Sequence, residues 1–349
     1  MDIAEKIKRK GLELGFTHVG ITSTDPFPEY AADLIINREK TYSLYDPDLK
    51  APYRSYLLKA SMPRMLYPDA QSIICATWGF GQVDYPEELL PHVARAYQSR
   101  AYVPLPDSAE GIREAEFRRY IESLGIHVFE RTDEIPDREA CARAGIVTFG
   151  RNNFAFTPED GSFNILVTLI VDKKLPYDEP TMYCDCPEDC TKCIDACPNH
   201  AMNAKGELQP RICMMHMQYT PIGELPEKYW KLLGSHLHGC DECQIVCPRN
   251  AAVLERARRR DPFLEKLKDE FDLEKVLLMD DEYYDRVVHP IMYNYIRDKN
   301  IFRRNAAIIL GNTGTRKNIP ALQKALQSPC EGVREAAQWA IGQIQQRES

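Results

Sequence analysis

Nine of the twelve cysteines lie between positions 184 and 247, and their spacing is the clearest chemical signal in the chain. The run CDCPEDCTKCIDACP contains four at the spacing C-x3-C-x2-C-x3-C-P: Cys186, Cys190, Cys193 and Cys197. The run CDECQIVCP contains three at the spacing C-x2-C-x3-C-P: Cys240, Cys243 and Cys247. Cys213 lies between the two runs. Because thiolates two residues apart can converge on one inorganic core, these cysteines are candidate ligands of metal clusters.

The two runs resemble those of two-cluster ferredoxins, in which the last cysteine of each run, the one before proline, binds the other cluster. The resemblance implies one [4Fe-4S] cluster held by Cys186, Cys190, Cys193 and Cys247. It implies a second cluster held by Cys197, Cys213, Cys240 and Cys243. A bacterial ferredoxin would place its first ligand at position 187, which is a proline here, so we take Cys186 and keep Cys184 as the alternative.

Zinc is the competing interpretation of the cysteines, since two C-x2-C pairs can build a four-thiolate zinc site. Zinc explains neither the two Cys-Pro endings nor the three-residue step before each, so iron-sulfur clusters are favoured. Cys75, Cys141 and Cys330 lie outside the runs, and we expect them to be structural. His216 and His238 flank cluster cysteines, and we expect them to support the ligands or lie at the surface rather than bind metal.

The composition is that of a globular protein: 349 residues, 44% hydrophobic and 28% charged, with a net charge of -8. We expect no secretory signal, because charged and apolar residues alternate along MDIAEKIKRKGLELGFTHVG. No segment approaches the ~18 consecutive apolar residues that would span a bilayer. The sequence therefore predicts a cytoplasmic protein without membrane contact, in which the thiols are reduced rather than paired as disulfides.

The first 178 residues read as an α/β body with a mixed sheet. Apolar HVGIT, AQSIICATWGF and FNILVTLIVD predict buried strands, and SAEGIREAEFRRYIESLG predicts a helix between them. Helices alternating with strands favour a mixed or parallel sheet covered on both faces. We expect a ferredoxin-like domain with two clusters at 179–252 and a helical domain at 253–349.

The C-terminal residues contain a weak repeat. RRNAAIILGNTG at 303 and REAAQWAIGQI at 334 superpose at an offset of about 31 residues, with Gly311 over Gly342. The period is typical of helical-pair repeats, and the segment resembles HEAT repeats. Residues 297–349 contain nine lysines and arginines against four acids, a local charge of +5. This basic module could bind a polyanion such as nucleic acid, or it could be an ordinary solvated helix surface.

The order of these parts resembles the epoxyqueuosine reductase family. The motifs that carry the resemblance are AGIVTFGRNN, CTKCIDACP, GCDECQIVCPRN and RRNAAIILGN. The resemblance implies a cobalamin- and [4Fe-4S]-dependent reductase that converts epoxyqueuosine in tRNA to queuosine. It implies cobalamin bound base-off, without a protein histidine on cobalt. A G-x-G-x-x-G fingerprint is absent, so a conventional dinucleotide site has no support.

Candidate residues for cobalamin and catalysis follow from the same resemblance. The family's G-R-D-Y-H stretch is matched by SRAYV, which keeps Arg100 and Tyr102 but lacks the aspartate and histidine. Gly150 and Asn152 could approach the corrin, or could form a turn. The catalytic aspartate of the family falls on Arg131 if no gap is allowed. Asp133 can take its place if the loop is two residues shorter, although a turn or helix cap is the alternative for Asp133.

Asp137 stands just before an apolar helix, so we expect it to cap that helix.

Two other functions remain open from the sequence. The same scaffold could act on a different electrophilic substrate, or the chain could be an electron-transfer protein serving a corrinoid partner. The expected partners are tRNA, through the basic C-terminal module, and an external one-electron donor such as flavodoxin or ferredoxin. The basic run Arg256, Arg258, Arg259 and Arg260 could extend the tRNA contact, although such a run on a helix is usually solvated. We expect a monomer.

Overall fold

The computed structural model of the chain describes residues 2–38, 58–100, 104–132, 135–202, 208–256, 259–292 and 298–349. Two of the predicted site residues, Tyr102 and Asp133, lie outside these ranges, as do Arg258 and Arg297 of the basic segments. Within these ranges, no helix combines the length and the apolar composition needed to cross a membrane.

The N-terminal part combines six strands with short and medium helices. The helices are α1 (Ile3–Glu13), α2 (Pro28–Ala32), a π-helix (Asp33–Arg38), α3 (Pro63–Leu66), α4 (Arg95–Gln98), α5 (Ala109–Ser123) and α6 (Asp137–Arg143). The strands are β1 (His18–Ser23), β2 (Ser72–Gly79), β3 (Val83–Asp84), β4 (Thr148–Phe149), β5 (Ala155–Phe156) and β6 (Asn164–Val171). The three predicted strands and the predicted long helix are therefore present.

The central sheet has the strand order β1-β2-β6, and both pairings are antiparallel. Cys75 on the middle strand lies opposite Gly20 on one side and Thr168 on the other. A mixed sheet was expected from the sequence, but both strand pairs described in this sheet are antiparallel. The connections between these strands are tens of residues long, and a connection of that length can return to either end of a sheet, so the pattern alone left the direction open.

Both faces of the sheet are covered, as predicted. On one face, Ile21 and Ile74 pack with Ile7 of α1 and Phe117 of α5. On the other face, Ile73, Cys75 and Ile170 pack with Ala140 and Cys141 of α6. Neighbouring residues of β2 point to opposite faces, which is the period of a strand. Cys75 and Cys141 are buried in this core, in agreement with a structural role.

The cluster segment consists of short helical turns joined by loops. Its elements are α7 (Lys192–Asp195), a 3-10 turn (Pro210–Ile212), α8 (Met214–Tyr219), a 3-10 turn (Glu227–Leu233), α9 (Glu242–Ile245), a 3-10 turn (Pro248–Asn250) and α10 (Ala251–Glu255). None of these reaches the ~12 residues at which a helix becomes marginally stable alone. Their positions therefore depend on tertiary contacts and on what the cysteines bind.

The C-terminal part is almost entirely helical. Its elements are β7 (Arg259–Arg260), α11 (Pro262–Leu267), α12 (Leu273–Leu278), α13 (Asp281–Tyr283), a π-helix (Tyr284–Val288), α14 (His289–Ile291), α15 (Lys299–Thr313), a 3-10 turn (Arg316–Asn318), α16 (Ile319–Ala325) and α17 (Glu331–Arg347). Aspartate side chains cap α11, α12, α13 and α15 by accepting from the first free N–H groups. Arg259 and Arg260 lie in a strand parallel to β3, not on a helix.

One hydrophobic core crosses the predicted domain boundaries. It contains Val93 and Tyr97 from the N-terminal part, Leu237 from the cluster segment and Phe302 from α15. The helical module therefore packs against the body, as expected for so few repeats.

Arg304, counted above in the basic surface, is only 2% exposed. Its Nη1 donates to the carbonyl oxygens of Thr220 and Pro221 at 2.7 and 3.2 Å. It thus ties α15 to the cluster segment and does not contribute to a nucleic-acid surface, because carbonyls inside the fold take its donors.

Candidate functional site

The first thiol set, defined as Cys186, Cys190, Cys193 and Cys247, gathers around the short helix α7. Burial, together with the neighbouring thiols of Cys247, Cys186 and Cys190, raises the pKa of Cys193 to about 11. Burial also raises the pKa of Cys247, and the neighbouring thiol of Cys186 adds to this shift. Mutual electrostatic influence requires short separations, so the fold brings together the four cysteines that the spacing assigned to one cluster.

The second thiol set, defined as Cys197, Cys213, Cys240 and Cys243, gathers around α9. Burial raises the pKa of Cys243 well above its ordinary value, and the neighbouring thiols of Cys240, Cys213 and Cys197 add to the shift. Burial also raises the pKa of Cys240 to about 12. Cys193 of the first set acts on Cys243 as well, and α7 packs against α9. The two sets are therefore neighbours.

Backbone N–H groups point at several of these sulfurs. The amide of Ala201 donates to Cys197 Sγ at 3.2 Å, and the amide of Arg151 donates to Cys186 Sγ at 3.4 Å. Amides two residues ahead oppose the burial effect on the pKa of Cys213 and Cys240. Such donors stabilise thiolates and influence the potential of a cluster that the thiolates hold.

Cys184 is an additional thiol at the edge of the first set. It is exposed, and its sulfur interacts directly with that of Cys186; burial is still the main cause that raises its pKa. Throughout the described ranges, no three His, Cys, Asp or Glu side chains meet as closely as the ligands of a single metal ion do. The cysteines are grouped at the longer separations at which their charges still interact.

A cavity of about 570 Å³ lies between the sheet, α6 and the second thiol set. Cys240 contributes to its wall. The remaining lining combines nine apolar residues with seven polar or charged ones: Phe80, Ala94, Ala96, Tyr97, Phe154, Ile165, Leu166, Met215 and Gly239, and Arg131, Asp137, Arg138, Ser162, Asn164, Asp241 and Gln244. A concave space that combines apolar surface with converging polar groups is the usual form of a cofactor or substrate site.

The side of the cavity formed by β6 and α6 carries a closed hydrogen-bonded triangle. Arg131 donates to Thr168 Oγ1 at 2.9 Å and to Asp137 at 3.0 Å. Thr168 Oγ1 donates to Asp137 Oδ1 at 2.7 Å. Asp137 was expected to cap α6, and this was wrong: the cap position is Pro136, and Asp137 is the first residue of the helix. Its carboxylate instead accepts hydrogen bonds from Arg131 and from Thr168, and Thr168 lies too far along the chain for a local pattern to indicate it.

The predicted cobalamin residues that the structure describes do not line this cavity. The Arg100 guanidinium pairs with Asp261 and lies over the Phe263 ring at 4.5 Å. Asn152 is buried, and its Nδ2 donates to the carbonyl of Cys243 at 3.1 Å. A side chain at Gly150 would meet the Phe156 ring at 2.4 Å. Gly150 and Asn152 thus shape the loop that supports the second thiol set.

Of the two histidines beside the cysteines, His238 is buried and His216 is partly buried. Burial lowers the pKa of His238 to about 3, and its Nε2 lies 3.2 Å from the Tyr219 hydroxyl. Its ring contacts that of Tyr97 at a tilt of 45° with centroids 3.9 Å apart, and Tyr97 lines the cavity. His216 also has a lowered pKa, first because of burial. Both therefore support the surroundings of the ligands, as expected.

Two segments of the chain match known protein families. Residues 186–250 match the 4Fe-4S double cluster binding domain, and residues 296–349 match HEAT repeats. The first range contains all eight cysteines of the two thiol sets and begins at Cys186. The two expected modules are thereby confirmed.

Whole-chain comparisons give one consistent result. Epoxyqueuosine reductase from Bacillus cereus is 29% identical over 347 residues, which is 95% of this chain and 86% of the relative. The Bacillus subtilis enzyme is 27% identical over 356 residues, which is 98% of this chain and 88% of the relative.

Solved structures extend the agreement to the fold. A crystal structure of selenomethionine-labelled epoxyqueuosine reductase is 25% identical and superposes with a TM-score of 0.79 over 97% of this chain and 90% of that chain. Another, which contains an epoxyqueuosine-modified tRNA-Tyr stem loop, is 24% identical with a TM-score of 0.78 over 97% and 89%. Sequence, cluster motif, repeats and fold are thus similar to those of epoxyqueuosine reductases along almost the whole chain.

Proposed function

We propose that the protein is an oxidoreductase that converts epoxyqueuosine in tRNA to queuosine, using two [4Fe-4S] clusters and cobalamin. The observation that carries the proposal is the position of the second thiol set. Cys240 forms part of the wall of the 570 Å³ cavity, so a cluster held there would stand beside whatever the cavity binds. Iron-sulfur clusters transfer single electrons, and a short gap favours that transfer.

The first thiol set would hold one cluster and the second set the other. The mutual influence of the thiols within each set supports this division. Cys186 is favoured over Cys184 as the first ligand, because the amide of Arg151 donates to Cys186 Sγ and the double-cluster match begins at that residue. Electrons would enter at the first cluster from an external donor such as flavodoxin or ferredoxin and pass through the second cluster to the cavity.

The lining of the cavity supports the binding of a flat, amide-bearing cofactor. Its apolar side chains can cover a macrocycle, and the side-chain oxygen of Asn164 can accept a hydrogen bond, since its Nδ2 already donates to the carbonyls of Ala155 and Gly161. When bound, in the base-off form implied by the resemblance, cobalamin supplies a low-potential metal centre that can reduce an electrophilic carbon. The chain's own part is to exclude water, orient the substrate and hold the second cluster against the cavity.

The proposal that tRNA is the substrate is supported by a similar protein whose structure was solved with an epoxyqueuosine-modified tRNA stem loop. On this chain, Arg316, Lys317 and Lys324 are exposed on the helical module and could contact phosphates. The proposal includes a cytoplasmic monomer with domains at 1–178, 179–252 and 253–349, although the largest hydrophobic core joins all three.

The test is an anaerobic single-turnover assay on cluster-loaded protein with cobalamin and tRNA containing epoxyqueuosine. Mass spectrometry of the digested tRNA should show queuosine. Cys240→Ala should abolish the product, because it removes a ligand beside the cavity, whereas Cys330→Ala, outside both thiol sets, should leave it unchanged. Cobalamin binding together with two reducible clusters, but without queuosine, would exclude this substrate.

A second candidate function is the reduction of a different electrophile on the same scaffold. The Arg131–Thr168–Asp137 triangle favours it, because a guanidinium stands on the cavity side where the resemblance leads one to expect a proton-donating aspartate. A guanidinium stays charged in proteins and donates hydrogen bonds rather than protons. Electron paramagnetic resonance showing bound cobalamin, combined with the absence of tRNA binding in a filter assay, would favour this candidate.

A further inference from the structure

A buried ion pair stands directly beside the second thiol set. Asp241 follows Cys240 in the chain, and its Oδ2 accepts hydrogen bonds from Arg95 Nη1 at 3.0 Å and from the Arg95 amide at 2.9 Å. The two side chains are 11% and 7% exposed. Charges shielded so well from water act strongly on their surroundings, because little solvent screens them.

A chain of buried hydrogen bonds fixes the carboxylate in place. Gln244 Nε2 donates to Asp241 Oδ1 at 3.1 Å, and Ser162 Oγ donates to Gln244 Oε1 at 2.9 Å. Asn250 Nδ2 in turn donates to Ser162 Oγ at 2.8 Å and to the Gln244 carbonyl at 2.8 Å. All of these side chains are at least nine-tenths buried. The ion pair therefore has one fixed position relative to Cys240.

The charge of this carboxylate reaches the cluster ligand. Asp241 follows Cys240 directly in the chain, and both residues line the same cavity. A negative charge beside a cluster opposes the arrival of an electron, and a positive charge favours it. Arg95 compensates Asp241 in this position. Removing the charge of Asp241 would therefore make the electrostatic potential at Cys240 more positive, and removing the charge of Arg95 would make it more negative.

We propose that Arg95 compensates the charge of Asp241 and so keeps that buried carboxylate from lowering the reduction potential of the second cluster. The inference rests on the cluster assignment made under the proposed function, and it does not depend on the substrate. The step concerned takes up one electron: the oxidised cluster accepts it from the first cluster, which has received it from an external one-electron donor. No proton or bond is exchanged in this step.

The experiment is a redox titration with dithionite at pH 8.5, followed by electron paramagnetic resonance, on cluster-loaded protein without cobalamin or tRNA. Asp241→Asn should raise the midpoint potential of one cluster, and Arg95→Gln should lower the potential of the same cluster. We expect each change to be about tenfold in the equilibrium constant of reduction, which is 59 mV for a one-electron couple. The other cluster should keep its potential.

Three controls separate tuning from a structural role. Arg95→Lys keeps the charge and should keep the potential near that of the unmodified protein. The double variant Arg95→Gln with Asp241→Asn removes both charges and should also return to that value. Arg9→Gln and Glu13→Gln make the same chemical changes in an exposed pair on α1 and should have no effect.

Shifts of the same sign in the two single variants, or no shift in either, would overturn the inference. If one single variant fails to load its clusters, the other single variant decides, because an unchanged potential there, or a shift of the opposite sign to that expected, overturns the inference. Failure of the tRNA assay leaves these potentials untouched, so the inference and the proposed substrate can fail separately.

Discussion

At the scale of single residues, Asp160 is a buried carboxylate whose charged form is disfavoured by its surroundings. It is 1% exposed, Thr17 Oγ1 donates to its Oδ2 at 2.9 Å, and within the described residues its Oδ1 has no hydrogen-bond partner. Burial raises the pKa of this carboxyl, and the Thr17 hydrogen bond opposes the shift. A raised pKa means that folding favours the protonated form of Asp160. The contribution of Asp160 to the free energy of unfolding is therefore present at low pH and is lost as the pH rises through the folded pKa.

Asp160→Asn should therefore raise the melting temperature at a pH above the folded pKa of Asp160, because the amide needs no proton to be neutral. The gain should shrink as the pH falls through that pKa and the aspartate becomes protonated. Thermal unfolding of both proteins across this range measures the difference. Asp69→Asn, at an exposed position, should show no such trend, and a gain that grows at low pH would contradict the assigned cause.

The cysteines could be recognised from sequence because the spacing of cluster ligands is local. Eight thiols within 62 residues lie close enough to influence one another. Their division between two clusters, which the resemblance to ferredoxins implies, stays a prediction. The cavity residues could not be found in this way. Arg131 and Asp137 meet Thr168, more than thirty residues along the chain, only after β6 has paired with β2 and α6 has packed on it.

At the scale of elements, two glycines that the repeat made equivalent have different surroundings. A side chain at Gly311 of α15 would meet the Trp339 ring at 2.6 Å and the Ala340 backbone at 2.8 Å. At Gly342 of α17 the same atom would meet nothing within 4 Å. The repeat predicted two similar helices, which are present, but not which side of each helix is in contact.

Gly311→Ala should destabilise the protein by about 1–3 kcal/mol, because α15 and α17 must separate to admit the methyl group. Gly342→Ala should stabilise it by about 0.5–1 kcal/mol, because alanine favours an exposed helical position. Urea unfolding of the two variants beside the unmodified protein gives both numbers. Equal effects would mean that the close contact between the helices is absent in solution.

At the scale of the whole molecule, Arg304 joins the helical module to the cluster segment. Its guanidinium is buried, and burial lowers its pKa to about 10. Arg304→Ala should cost about 3 kcal/mol, since it leaves buried carbonyls without a donor and opens space in the core. Arg316→Ala, which removes an exposed ion pair with Glu348, should cost less than about 1 kcal/mol. Calorimetry distinguishes the two, and equal small costs would show that the junction is solvated.

The cluster segment itself has two halves that differ in what holds them. Residues 214–237 contribute Met217, Trp230, Leu233 and Leu237 to the largest hydrophobic core, so apolar contacts fix this half. Residues 186–200 contribute no residue to that core, and their only helix, α7, has four residues. Because so short a helix gains little stability from its own hydrogen bonds, the first half must depend on the groups bound by its thiols.

Removal of the clusters by anaerobic chelation after oxidation should therefore act unevenly. Hydrogen exchange should accelerate strongly in residues 186–200 and at 240–247, while 214–237 and α15 keep most of their protection. Mass spectrometry of peptides from loaded and cluster-free protein measures both halves in one experiment. Loss of protection throughout the helical module would show that the clusters stabilise the whole fold, and unchanged protection at 186–200 would show that its turns hold without metal. The uneven result follows from the packing, since only one half of the segment shares the common core.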